Sequence, residues 1–173
     1  MVFESYTTEI GGDSSPGITD VFIRDRTAGT SAKVSFGNSG QVGDQGSQFA
    51  SISDNGRYVA FQSGTEGFAT VADGPGYDIY LRDRTNATTI LVSRSTGGTA
   101  GNDDSGTPSL SGDGTKVSFN SDSTNLVTGD TNGATDVFAR NLTTGVTTRT
   151  SVTTTGAEAH GLSFGSDMAG DGT

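Results

Sequence analysis

Seven residues, Asp130-Thr131-Asn132-Gly133-Ala134-Thr135-Asp136, set oxygen-bearing side chains around a glycine at short intervals. Hard cations such as Ca2+ need several oxygen ligands, and an acidic loop turning at a glycine can supply them together. Asp130, Asn132 and Asp136 are therefore the candidate metal ligands, and calcium is the cation they would take; no other cofactor is expected. The distal glutamate of an EF-hand loop is missing, and the counterpart loops are reduced to Asp73 with Asp78 and to Asp13 with Asp20. A structural reading stands beside the metal one. Asp20, Asp78 and Asp136 cap backbone amides where a strand begins, and Asn132-Gly133 makes a turn.

Other reactive side chains give less. Arg24, Arg82 and Arg140 form either a ring of ligand-binding guanidinium groups or surface pairs with carboxylates such as Asp25 and Asp83; in the third copy Asn141 replaces that Asp. Surface pairs of this kind add little stability. His160 is the single histidine and sits in a Gly- and Ala-rich connector, while Asp103-Asp104 adjoins a turn. No Gly-x-Ser-x-Gly elbow leads from a strand into a helix. Repeated residues favour structure over an asymmetric active site, so no catalytic residues and no enzyme are expected. Asn86-Ala87-Thr88 and Asn141-Leu142-Thr143 match the glycosylation sequon, which has meaning only in a secreted protein.

These residues recur because the chain repeats itself. Phe3, Phe61 and Phe119 lie 58 residues apart, as do Asp20, Asp78 and Asp136, Arg24, Arg82 and Arg140, Thr27, Thr85 and Thr143, and Ser35, Ser93 and Ser151. Three such steps exceed the 173 residues by one position. Tandem units of this kind bury their apolar faces against their neighbours, so the repeat decides the architecture.

Within the third copy, Pro108-Ser109-Leu110-Ser111 reads as a short strand and Gly112-Asp113-Gly114 as a hairpin turn. Lys116 to Ser121 alternates apolar and polar residues, the period of a strand; Asp136 to Arg140 and the Thr-rich stretch Val146 to Val152 complete four strands. The second copy repeats the plan at Ala50–Ser53, Arg57–Ser63, Asp78–Asp83 and near Ile90–Ser93. The first copy begins at its second strand, Met1 to Ser5, and continues with Asp20 to Asp25. Its absent opening strand reappears as Phe164-Gly165-Ser166-Asp167-Met168, followed by the turn Gly170-Asp171-Gly172. Helical spacing is missing throughout. The fold class is all-β, and four antiparallel strands repeated radially make a propeller blade.

Ser53-Asp54-Asn55-Gly56 with Val59, Phe61 and Ser63, then Asp78-Ile79-Tyr80-Leu81-Arg82, matches Ser111-Gly112-Asp113-Gly114 with Val117, Phe119 and Ser121, then Asp136-Val137-Phe138-Ala139-Arg140. This pair of segments resembles the WD-like propeller repeats of TolB-type proteins. The resemblance implies a complete ring of more blades than this chain carries. The expected division is one repeat domain, residues 1–173: blade 1 from residues 1–45 completed by 162–173, blade 2 from 46–103 and blade 3 from 104–161. Such a module is expected outside the cytoplasm, extracellular or periplasmic.

Composition sets the remaining limits. Apolar residues are 30% of the chain and Gly numbers 27, which leans towards disorder until the alternation is counted. A net charge of −10 opposes nucleic-acid binding, where phosphates demand Lys and Arg. Cysteine is absent, no apolar run is long enough to span a membrane, and no leader is expected, since Met1-Val2-Phe3-Glu4-Ser5 reads as repeat sequence. With one blade divided between its ends, the chain is expected to pair residues 162–173 of one molecule with 1–5 of another. A homo-oligomer results: a closed dimer of six blades is favoured, three chains would give nine, and an unclosed rotation would give a filament. The alternative is a carbohydrate- or peptide-binding propeller domain cut from a larger extracytoplasmic protein, with Tyr58, Tyr77 and Tyr80 as aromatic candidates.

Overall fold

A computed structural model describes residues 1–6, 9–10 and 17–172. Among the described residues every element is a strand. Blade 1 holds β1 (Val2–Ser5), β2 (Asp20–Asp25) and β3 (Thr30–Lys33). Blade 2 holds β4 (Ser47–Ile52), β5 (Tyr58–Ser63), β6 (Asp78–Asp83) and β7 (Thr88–Leu91). Blade 3 holds β8 (Ser105–Leu110), β9 (Lys116–Ser121), β10 (Asp136–Asn141) and β11 (Thr147–Arg149). Each blade is an antiparallel meander in chain order, three strands in the first sheet and four in the others.

The alternating pattern explains how so few apolar residues suffice. In blade 2, Val59, Phe61 and Tyr80 face Val21 and Ile23 of blade 1, whereas Ala60, Ile79 and Leu81 face Val117, Phe119 and Phe138 of blade 3. Successive side chains leave a strand on opposite faces, so the middle blade buries both, and every residue of β6 is buried. An aromatic pair crosses the second and third strands of each unit: Phe3 stacks on Phe22 at 5.7 Å, Phe61 on Tyr80 at 6.0 Å and Phe119 on Phe138 at 5.9 Å. Between blades, Leu110 N donates to Ser51 Oγ at 3.0 Å, Asp54 N to the Gly112 carbonyl at 2.9 Å and Ser105 N to that of Tyr77 at 2.7 Å.

Three strands differ from expectation by three residues at one end. β4 and β8 start before Ala50 and Pro108, because bulges between Gln48 and Ser51 and between Gly106 and Ser109 let them continue past an interrupted register. The residue in each bulge, Phe49 or Thr107, has positive φ (54° and 46°). β11 ends at Arg149 rather than Val152, since Val152 leaves the sheet to bridge Glu158. At the β8–β9 turn Gly114 has φ +75°, and a Cβ there would overlap the Tyr58 ring of blade 2.

Candidate functional site

The three repeated aspartates begin β2, β6 and β10, each buried. Each accepts a hydrogen bond from a serine hydroxyl arriving after the fourth strand: Ser35 to Asp20 at 2.7 Å, Ser93 to Asp78 at 2.5 Å and Ser151 to Asp136 at 2.5 Å. The same serine oxygens accept the amides of Val21, Ile79 and Val137 at 3.0, 3.0 and 3.1 Å. Each aspartate thus serves the first strand amide through a serine, and Asp78 also caps the Gly74 amide ahead of its strand directly; the shared relay explains why Asp and Ser repeat in step. Asn132 accepts the Ala134 amide at 2.8 Å, the turn expected of Asn132-Gly133.

The third copy adds a charge cluster. Asp130, Asp136 and Glu158 present ligand-capable oxygens within 4.8 Å of one another. The Arg149 guanidinium lies among them: Nη1 donates to Glu158 Oε1 at 2.6 Å and Asp136 Oδ2 at 3.1 Å, and stands 3.6 Å from Asp130 Oδ1. Nη2 donates to the Gly129 carbonyl at 3.2 Å. Asn132 stands at the margin, its Nδ2 donating to Asp136 Oδ2 at 3.3 Å and to the Ala159 carbonyl at 2.7 Å. Hydrogen bonds from the Thr131 amide and hydroxyl, with Arg149, hold the Glu158 carboxyl down at about 2. Burial pushes Asp130 up, with Asp136 and Glu158 adding to the shift. Burial opposes the Arg149 charge, but the bonds to Glu158 and Asp136 outweigh it, so this guanidinium is held more basic than usual.

Of the three expected ligands, Asp130 and Asp136 come together and Asn132 turns its amide nitrogen to Asp136 as a donor. Glu158 and Arg149 were not anticipated. The available signal was their departure from the repeat: one and two steps earlier, the place of Arg149 is held by Leu91 and Lys33, and that of Glu158 by Ala100 and Val42. In copy one Lys33 Nζ meets Asp20 Oδ2 at 2.6 Å; Asp13 lies outside the described residues. In copy two Leu91 brings no charge. Asp78 keeps Ser93 and the Gly74 amide at 3.0 Å, and burial raises its carboxyl to about 6. Asp73 stays apart, accepting the Tyr80 hydroxyl at 2.5 Å.

The repeated arginines correct the expectation of surface pairs with Asp25 and Asp83. Arg82 and Arg140 are buried and reach across their own blade to the fourth strand, donating to Thr89 Oγ1 at 3.0 Å and Thr147 Oγ1 at 2.6 Å; Arg24 bonds Ser31 in the same way at 3.2 Å. Arg82 also lies 4.0 Å over the Phe36 ring of blade 1, and Arg140 donates to the carbonyls of Arg94 and Ser95. Burial lowers the Arg140 pKa to about 10. The neighbouring Asp25, Asp83 and Asn141 instead each accept two amides of the following turn through Oδ1. An acceptor is all that position requires, so Asn substitutes freely.

The remaining candidates scatter. His160, Asp103 and Asp104 are exposed, and Asp104 accepts the Tyr77 amide at 2.7 Å. Tyr80 is buried between blades 1 and 2, Tyr58 packs against the core under Arg57, and Tyr77 lies on the surface, so the three form no aromatic platform. In the sequons, Asn86 donates to Asp83 at 2.9 Å and Asn141 is engaged by its turn.

The tail, residues 162–172, lies against blade 3 without forming a ladder, since a strand needs a partner and none of the described residues supplies one there. Its contacts nevertheless repeat those between the blades. Met168 N donates to Ser109 Oγ at 3.0 Å as Leu110 N does to Ser51 Oγ, and Ser163 N donates to the Thr135 carbonyl at 2.7 Å as Ser105 N does to that of Tyr77. Gly165 and Gly172 have φ +78° and +74°, the left-handed positions held by Thr107 and Gly114 one step earlier. Between tail and blade 3 runs a groove of about 830 Å³ lined by Val137, Ala139 and Met168. Val137 and Ala139 occupy the face that in blade 2, as Ile79 and Leu81, is buried under blade 3. At the other end, β1 has β2 as its ladder partner, and no second strand among the described residues flanks it.

Antiparallel sheets stacked face to face, with first strand beside first strand, define a β-propeller architecture. The fold is that of a TolB-like propeller. TolB from Acinetobacter baumannii superposes with a TM-score of 0.53 at 15% identity, over 90% of this chain and 30% of that one. A protein assigned as TolB from Agrobacterium tumefaciens gives 0.48 at 16% identity, over 77% of this chain and 41% of that one. At such identities the likeness concerns fold alone, and this chain spans well under half the length of either. No protein-family model matches the chain. No curated protein matches it either.

Proposed function

We propose that this chain is a non-catalytic propeller module that assembles head to tail, β1 of one copy pairing with residues 162–172 of the next, in a closed dimer of six blades. The observation that carries this reading is the tail itself: it holds the backbone turns and blade contacts of a first strand while lacking the second strand that such a strand bonds. β1, which no second strand among the described residues flanks, is its complement. Exposed strand edges are templates for pairing, and a heterologous contact that closes leaves none. The repeat also dictates the register. Ser47 pairs with Ser63 and Ser105 with Ser121, their hydroxyls 3.0 and 2.8 Å apart, so Ser163 is set to face Ser5 of the next copy. Phe164, 66% exposed, and the groove beside it would be covered by the incoming blade. An extracytoplasmic site of action belongs to the same proposal and rests on the resemblance alone.

The test uses the absence of native cysteine. Oxidised S5C/S163C protein should run as a covalent dimer with no higher ladder, and the unmodified chain should show twice the monomer mass by sedimentation. A ladder would replace the ring by a filament. A monomeric mass at high concentration, with no cross-link, would overturn the assembly and leave the ligand-binding reading.

A further inference from the structure

The Asp130–Asp136–Glu158 cluster is under-served by its own arginine. Nη1 of a guanidinium carries two hydrogens, and both are engaged, by Glu158 at 2.6 Å and Asp136 at 3.1 Å. Asp130 is left over. Its side chain is 2% exposed, and Oδ1, turned towards the cluster, has no hydrogen-bond partner. Three carboxylates face one guanidinium, so the cluster retains two negative charges. A spherical cation is not limited to two directions and can take all three oxygens with a carbonyl besides, and oxygen-only ligation is what calcium prefers.

We infer that Asp130, Asp136 and Glu158, with the Gly129 carbonyl, form a seat for a divalent cation of the calcium type, for which the Arg149 guanidinium is the built-in competitor. Binding turns the guanidinium outward, and the three carboxylates with the cation keep one negative charge, which Arg149 balances from the margin. The seat joins two segments far apart in the chain. Glu158 accepts the Thr131 amide at 2.8 Å and hydroxyl at 2.7 Å, Asn132 holds the Ala159 carbonyl, and Ser163 N bonds Thr135. The 158–163 connector is thereby stitched to the 131–135 loop, and this connector leads into the tail. A cation held by Glu158 fixes where the tail starts and favours assembly; this coupling rests on the head-to-tail reading, whereas the binding itself does not.

Calorimetric titration of calcium chloride into the chelator-stripped chain tests the seat, with melting and sedimentation recorded alongside. Saturable binding of one ion is expected, with a higher melting temperature and self-association shifted at least tenfold lower in protein concentration. Asp130→Asn should weaken binding at least tenfold. Arg149→Met, which removes the competitor, should tighten it at least tenfold; if that variant does not fold, the Asp130→Asn comparison decides alone. No binding heat and no melting shift at about 10 mM calcium, well above the weaker calcium modules, would overturn the seat and leave the assembly untouched. Calcium binding by a strictly monomeric chain would uphold the seat and overturn the assembly.

Discussion

Blades 2 and 3 share backbone, core and hydroxyl relay, yet place their charge at opposite ends of the third strand. Blade 3 keeps a cation at the start of the strand, where Arg149 meets Asp136 and Asp130, and a neutral pair at its end, Asn141 beside Thr115. Blade 2 has the reverse: Asp78 starts β6 with Leu91 in the cation's place, while at the far end Asp83 takes two bonds from Arg57, at 3.0 and 2.7 Å. The repeat therefore fixes where polar side chains stand but not which of them carry charge. Both carboxylates are buried, and a cation partner decides between them. Asp78, enclosed between blades 1 and 3 with Leu91 beside it, has its carboxyl driven up, whereas the two bonds from Arg57 hold Asp83 down at about 2.

The largest effect should come from giving blade 3 the residue of blade 2. Arg149→Leu leaves Asp130 and Asp136 buried without their cation. Removing one partner of a buried ion pair typically costs about 3–5 kcal/mol, because the surviving charge is stranded. Chemical denaturation at pH 7 should show a loss of that size, and added calcium should recover part of it. A loss below about 1 kcal/mol would mean that the cluster is solvated and that the two blades do not differ in this respect.

The reverse exchange acts through pH. Asp78 titrates near 6 in the folded chain against 3.8 for an ordinary aspartate, so the folded state holds its proton more tightly than the unfolded state does. Stability is therefore unaffected below about 4, falls as the pH rises from 4 to 6, and stays lower beyond; the full span corresponds to roughly 3 kcal/mol. Asp83 and Glu158 work oppositely, since their depressed values make stability fall as the pH drops from about 4 towards 2. The window between 4 and 6 distinguishes Asp78 from these two. Leu91→Lys, which copies Lys33 of blade 1, should flatten the slope in that window even if the lost leucine lowers stability at every pH. An unchanged slope would show that Asp78 is not the titrating group.

These contrasts mark what could be read from the sequence. The 58-residue step placed the strands of the second and third copies, and β1 and β2 of the first, to within a few residues, because alternation and turn glycines are local signals and each copy checks the others; β3, which lacks apolar alternation, was not among them. The tail was legible in its turns, since Gly165 and Gly172 stand one step after Thr107 and Gly114, but the strand expected over residues 164–168 does not form, having no partner strand among the described residues. The cluster was only half legible. Asp130 and Asp136 are close in sequence, but Glu158 reaches them from beyond the fourth strand, along a connector whose path depends on the bridge between Val152 and Glu158. The arginines were misread because adjacency in sequence suggested Asp25 and Asp83 as partners. Neighbours on a strand point to opposite faces, so Arg82 turns into the blade contact while Asp83 turns to its own hairpin.

The smallest effect should come from moving the surface pair. Blade 2 has Arg57 and Asp83 where blade 3 has Thr115 and Asn141, so T115R/N141D transplants the charged pair intact. The carboxylate introduced by N141D would still accept the amides of Thr143 and Thr144, which Asn141 now takes at 2.9 Å each. The new bidentate pair would gain little, since Arg57 in its native setting is 37% exposed and exposed pairs are largely offset by hydration and side-chain entropy. The melting temperature should move by no more than about 2 °C, and N141D alone should behave alike. Replacing Asn141 by Ala removes the acceptor itself and should lower the melting temperature visibly more. If N141D proved as damaging as the alanine, the amide group rather than its oxygen would be the working part, and the equivalence of Asp25, Asp83 and Asn141 would fail.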